Sequence, residues 1–215
     1  MVYKLANEYH TQRNNEIDPA NACNTTAMIM ALKATGIPFS YPKDVQPEDH
    51  LAAFLSTPEA YARRDAEYPW AKASKTPPRE VHALLSWAVN ECLTALPRTI
   101  FTPSVSLQEL LFRIARHRAA SVVSGRFTPG GHVVTLVGFE APGPDLSRSR
   151  SPAAIDLSTV SRVIIDDPWG DVRTGYRDHN GDDISLSLAE FDSLTREYGN
   201  PNRKWAHLFS RDGNF

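Results

Sequence analysis

The run Ala27-Met28-Ile29-Met30-Ala31-Leu32 constrains this chain more than any other, because a helix built from it has no polar face. A helix apolar all round belongs inside a core, so the rest of the chain must be arranged to cover it. Gly36 followed by Pro38 marks its end, and Asn21 marks its start, with a side chain able to accept from an orphan N–H of the first turn. Cys23 then falls in that first turn. There the positive end of the helix dipole favours a thiolate, which is how a reactive cysteine is made; a small buried hydrophobe is the other use of a cysteine at such a place. The remaining sequence has to decide between them.

With 215 residues, 41% of them hydrophobic and 22% charged, the chain can enclose one sizeable core and is short for two, so a single domain over residues 1–215 is expected. A formal net charge of −2 provides no basic footprint for nucleic acid or an anionic membrane surface. No run approaches the ~18 apolar residues of a membrane helix. Met1 to Arg13 is polar and unlike a signal peptide, which predicts a soluble cytoplasmic chain with no membrane span. The two cysteines, Cys23 and Cys92, are too few for a disulfide scaffold or a four-cysteine zinc site. Cys92 lies in an apolar helical pattern and reads as core.

Tyr3 to Asn15 is a polar segment carrying Gln12, and Asp18-Pro19 is a turn leading into the Cys23 helix. Leu51, Phe54, Leu55 and Tyr61 predict one helix over 48–64, and 68–75 reads as irregular. Thr76-Pro77-Pro78 opens a third helix with Thr76 as cap and an apolar face of Val81, Leu84, Leu85, Ala88 and Leu93. Ser106 to Glu109 fits a capping box for a fourth helix ending near His117. Beyond Arg118 the period changes to that of strands, predicted at 119–125, 132–140, 161–166, 184–188 and 205–209. Ala141 to Ala154 is a surface loop. Ser187 to Glu190 fits a second capping box, for a helix reaching Tyr198 and stopped by Gly199-Asn200-Pro201. Helices first and an antiparallel sheet after them make an α+β arrangement, with 1–118 mainly helical and 119–215 forming the sheet.

The chemistry gathers at strand ends. Gly130-Gly131 precede His132 at the first position of an apolar strand, leaving open space beside its imidazole, and Val163-Ile164-Ile165 run into Asp166 and Asp167. An antiparallel neighbour can bring one of these carboxylates to the histidine. Successive strand residues face opposite sides, so only one of the pair can reach it. A thiol at a helix start, a base to take its proton and a carboxylate to fix the base's tautomer form an activated-nucleophile constellation, here in the order Cys23, His132, Asp.

These residues resemble the papain-fold cysteine peptidases of the bacteriocin-leader-processing type, and more narrowly the stand-alone "C-thirty-nine-like" domains of bacteria and of phage tail or lysis proteins. The resemblance rests on Cys23 opening the apolar helix, on Gly131-His132-Val133-Val134 with Gly138, and on Asp167-Pro168-Trp169-Gly170. It extends to Thr11-Gln12-Arg13-Asn14-Asn15, Glu80 to Trp87, Thr174-Gly175-Tyr176-Arg177 and Lys204 to Leu208. It implies a papain-like fold with the nucleophile on a buried helix packed on the sheet, and acyl transfer to the Cys23 sulfur with His132 as base. Asp167, standing just before Pro168 where the family places its carboxylate, would orient the base. Gln12 would supply the oxyanion donor together with the Cys23 backbone N–H, and no cofactor or metal would be needed. Where many members carry Gly-Pro-Thr after the cysteine, this chain has Asn24-Thr25-Thr26, which keeps the nucleophile and alters the residues beside it. Trp169 reads either as a shield for the His–Asp pair or as a core aromatic.

The implied substrate is a peptide or a peptidoglycan peptide, and a larger assembly such as a phage tail is an implied partner. An endopeptidase of the NlpC type shares the Cys-then-His order, and a catalytically silent virion module that binds peptide is the rival of another class. The full set of Cys23, His132, Asp167 and Gln12 favours the enzyme, because a silent module has no need of all four. Asp178, Asn180 and Asp182 match the first ligand positions of a calcium loop, but Asp183 and Ala189 stand where its glycine and bidentate glutamate belong, so a solvated turn is expected. The seven histidines form no His-x-x-x-His pair, and His82 and His207 fall in apolar elements as structural residues.

Overall fold

The apolar run is the centre of the fold. In a computed structural model of the chain, of which residues 1–196 and 203–215 are described, it lies in helix α1, Cys23–Thr35, and Ala27 to Leu32 have no exposed surface at all. Each of Met28, Ile29, Met30 and Leu32 contributes roughly 2 kcal/mol by leaving water. Gly36 ends α1 in the left-handed region, with φ 71°, and its N–H closes back on Leu32 and Lys33. The start differs from expectation. Asn21 belongs to a short 3-10 turn, Pro19–Asn21, and its amide donates to Asp18 Oδ1 at 3.0 Å, so it does not cap α1. Ala22 holds the cap position without a side-chain bond, and Thr25 Oγ1 donates to the Ala22 carbonyl.

Among the described residues, seven strands form one antiparallel sheet in the order β2-β7-β3-β4-β5-β6: β2 Thr99–Val105, β3 Ser121–Gly125, β4 His132–Glu140, β5 Arg162–Asp166, β6 Ile184–Ser187 and β7 Lys204–Phe209. β1, Val2–Lys4, pairs with the end of β4 beyond the stretch that β3 covers. α1 packs along β4, where Thr135 Oγ1 donates to the Ala27 carbonyl at 3.0 Å. The fold is α+β, and the 1–118 segment contributes β1 and β2 to the sheet as well as most of the helices.

The strand predictions hold to within two residues at each end, and β1 and β2 are strands beyond those expected. Pro103 interrupts its alternation, and a proline survives there because β2 is an edge strand whose register shifts between Thr102 and Val105. The single helix expected over 48–64 is two, α2 Pro47–Leu55 and α3 Pro58–Glu67. Pro58 cannot continue α2, and Thr57 Oγ1 caps α3 by accepting from Ala60 N. Residues 69–74, expected to be irregular, form α4, Pro69–Ser74. Thr76 caps nothing: a 3-10 turn at Pro78–Glu80 precedes α5, His82–Ala88, which continues as a π-turn to Thr94. Ser106 caps α6, Leu107–Phe112, and a π-turn carries it to His117. The second capping box is complete on α7, Leu188–Leu194. That helix ends with Thr195 at its cap, and the expected end at Tyr198 and stop at Gly199-Asn200-Pro201 lie outside the described residues. Among the described residues, no helix is long and apolar enough to cross a membrane.

Candidate active site

Three elements converge at one end of the sheet. β5 runs antiparallel to β4 with Asp166 opposite Thr135, so the start of β4 and the residue after β5 lie together. The bond from Thr135 to Ala27 sets α1 alongside, one helical turn from its start, which brings Cys23 to His132. His132 Nε2 donates to Asp167 Oδ1 at 2.7 Å, and the Cys23 side chain lies near enough to the ring to act on its protonation. With Nε2 committed to the carboxylate, Nδ1 is the nitrogen left for the sulfur. Cys23 is half-buried and unpaired in any disulfide. Nothing lies within 4 Å of where a Gly130 Cβ would stand, so the chain is open beside that glycine, while His132 itself is buried.

Burial pulls the His132 pKa down, but hydrogen bonds to Asp167 and Cys23 and the charges of both outweigh it and hold the imidazole up to about 9. Because the folded pKa lies above the unfolded one, a protonated His132 stabilises the fold fully below roughly pH 6.5, and the stabilisation is lost as pH rises through about 9. Denaturant unfolding of wild type and His132→Gln should therefore show the largest advantage for wild type near pH 6 and none of this contribution above pH 9. A difference that does not change with pH would mean that His132 is not charged in the folded protein.

Asp167 is held on every side. It is fully buried, Oδ1 also accepts from Trp169 N at 2.9 Å, and Oδ2 lies 3.2 Å from the Tyr176 hydroxyl. Burial, with the Asp167 charge beside it, raises the Tyr176 phenol well above its ordinary pKa, so it stays a neutral donor. The Asp167 N–H donates to Gly181 O, and Tyr9 donates its hydroxyl to Asp167 O at 3.1 Å while accepting from Gly181 N. A Cβ at Gly181 would stand 1.9 Å from that same carbonyl oxygen, so only glycine fits against this loop. Tyr176, Tyr9 and Gly181 were not assigned a role from sequence. Their contacts to Asp167 span up to 158 residues, and the one local signal that could have pointed to any of them is the turn-forming dipeptide Asn180-Gly181.

Asp166 faces away, as strand alternation requires. It is also fully buried, accepting from Asn7 Nδ2 at 2.7 Å and from Asp183 N at 3.1 Å. Burial pushes its pKa up to about 7, with the charges of Asp182 and Asp183 acting in the same direction against those two hydrogen bonds. Asp166, Asp182 and Asp183 are the one group of three possible metal-ligating side chains among the described residues, but Asp166 is already engaged by N–H donors and Asp183 is paired with Lys4. In the neighbouring turn, Asp178 and Asn180 side chains accept from backbone N–H groups two residues on, which closes two Asx turns.

Gln12 lies in a 3-10 turn, Gln12–Asn14, tied to the loop after Asp167: Gln12 N donates to Pro168 O at 3.0 Å, and Arg13 Nε donates to Trp169 O at 2.9 Å. The Arg13 guanidinium also lies 3.7 Å over the Trp169 ring. Gln12 is buried, and its Nε2 donates to Pro19 O at 2.7 Å. A carbonyl only accepts, so the nitrogen must face Pro19; its second hydrogen has no partner among the described residues. Gln12, Cys23, His132 and Trp169 line one cleft of about 460 Å³, together with Asn24 and His82. The N–H of Cys23, the first residue of α1, has no acceptor within the helix. Cys92, by contrast, sits in the π-turn after α5 and packs against the core, and burial pushes its thiol up to about 12.

Comparison with protein-family models and with curated proteins found no match.

Proposed function

We propose that the chain is a cysteine peptidase or amidase of papain-like fold, acting through Cys23, His132 and Asp167 with Gln12 as oxyanion donor. The observation that carries the reading is the Asp167–His132 hydrogen bond set in one cleft with Cys23, at the start of a buried helix. In the mechanism it supports, His132 takes the Cys23 proton and the thiolate attacks the carbonyl carbon of a peptide or amide. The oxygen that becomes negative is met by the Cys23 N–H and the spare N–H of Gln12 Nε2. The imidazolium then gives its proton to the departing nitrogen, leaving an acyl-thioester. Water, deprotonated by the same imidazole, releases the acid and restores the thiol. Asp167 keeps the proton of His132 on Nε2 throughout, so that Nδ1 serves the sulfur. A peptide or peptidoglycan peptide as substrate, and work within a larger assembly, belong to the same proposal and rest on the sequence resemblance.

Differential alkylation tests it. At pH 6 iodoacetamide should modify Cys23 roughly a hundredfold or more faster than Cys92, because protonated His132 favours a thiolate at the first site and burial forbids one at the second. His132→Ala should remove most of the difference. Equal slow rates at both cysteines would end the proposal.

A further inference from the structure

We infer that His82 binds the substrate, its neutral imidazole presenting an Nε2–H donor to a carbonyl oxygen of a peptide lying in the Cys23 cleft. The inference rests on the peptidase reading and adds a residue to it. Ser86 Oγ lies 2.7 Å from His207 Nδ1, and His207 Nε2 lies 3.0 Å from His82 Nδ1, a chain of three side chains running from the core to the cleft that His82 lines.

The direction of this chain follows from its buried end. Ser86 is buried and makes no hydrogen bond to the carbonyl four residues back or to any other described group, so its hydroxyl must donate to His207 Nδ1 or be left unsatisfied. His207, accepting at Nδ1, carries its hydrogen on Nε2 and donates it to His82 Nδ1. His82 in turn carries its hydrogen on Nε2. Run the other way, the chain would orphan the Ser86 O–H. His82 Nε2 makes no bond among the described residues, yet it is not one of the buried polar atoms left without a partner, so it opens to solvent in the cleft. The ring is fixed as well as polarised: it stacks on Phe101 at 4.9 Å and 11°, and meets Trp205 edge-on at 5.8 Å. Burial lowers the His82 pKa to about 4 and holds that of His207 well below its ordinary value, so both rings remain neutral where the Cys23 chemistry would run. A neutral donor of this kind suits an amide carbonyl.

Nitrogen-15 NMR of histidine-labelled protein reads the tautomers directly. Both His82 and His207 should be protonated on Nε2 alone, and Ser86→Ala should turn this into a mixture; a proton on His82 Nδ1 in the wild type would overturn the inference. The second arm compares two Cys23 reagents: iodoacetamide, which carries no peptide, and the epoxysuccinyl peptide E-64. In His82→Phe, which keeps the stacking and removes the donor, E-64 labelling should slow about tenfold while iodoacetamide labelling is unchanged, with a smaller loss in Ser86→Ala that does not depend on replacing the ring. An unchanged E-64 rate in both variants, or an equal fall for the two reagents, would overturn the role of His82 alone. A wild-type Cys23 inert to iodoacetamide would overturn the peptidase reading, and the role of His82 with it.

Discussion

Asp167→Asn is expected to cut turnover of any cleaved peptide by between ~10² and ~10⁴-fold, while Asp166→Asn leaves it within a few-fold of wild type. The two residues are neighbours, equally buried, and opposite in what they face. Asp167 Oδ1 accepts from His132 and Trp169 and Oδ2 meets Tyr176, so an asparagine can keep its carbonyl toward the two N–H donors only by giving its amide to the Tyr176 oxygen. That orientation preserves the His132 tautomer but loses the negative charge, and the other orientation loses both. The loss should therefore fall toward the lower end of the range, and the raised pKa of His132 should drop. Asp166 makes no contact with His132, and its replacement is read in stability. Its folded pKa of about 7 lies above the unfolded value, so above pH 7 the fold bears the cost of a buried charge that asparagine does not have. Asp166→Asn should accordingly be more stable than wild type at pH 8, by up to roughly 4 kcal/mol, and lose that advantage below about pH 4. The reverse ranking in turnover, or equal activity of both variants with wild type, would remove Asp167 from the site.

For Gln12→Ala the expected loss of turnover is 10² to 10³-fold per folded molecule, the usual result of removing one oxyanion donor. The substitution is not silent for the fold. Gln12 is buried and holds Pro19 O, so the variant should also lose about 1–3 kcal/mol of stability. Active-site titration separates the two, by reporting turnover per reactive Cys23. Full activity per titrated site would make Gln12 a structural tie between the 3-10 turns before α1 and nothing more.

Local chemistry carried the reading of this sequence a long way. The unbroken apolar run had to be a buried helix because no other placement hides every face of it. Gly36 had to end it, since the chain there turns left-handed. The limits of β4 and the complete capping box at Ser187 and Glu190 follow from signals within a few residues of each other. The break at Pro58 is equally local: the periodicity of Leu51 to Tyr61 predicts one helix, whereas Thr57 as cap and a proline at the first helical position divide it in the structure.

Tertiary structure decided the rest, because the rest depends on partners far apart in the chain. β2 is a strand through its pairing with β7, about a hundred residues away. Sequence alone determined that a cysteine opens a buried helix, that a histidine opens an apolar strand, and that of two adjacent aspartates only one could face that histidine. It did not determine that Tyr9, Tyr176 and Gly181 close around the second of them, nor that Ser86 reaches the cleft through His207 and His82. Alternation and capping act over a few residues and leave a pattern in the chain. A buried hydrogen bond between residues of different elements, whether nine positions apart or over a hundred, leaves none, and exists only once the core has brought both ends out of water.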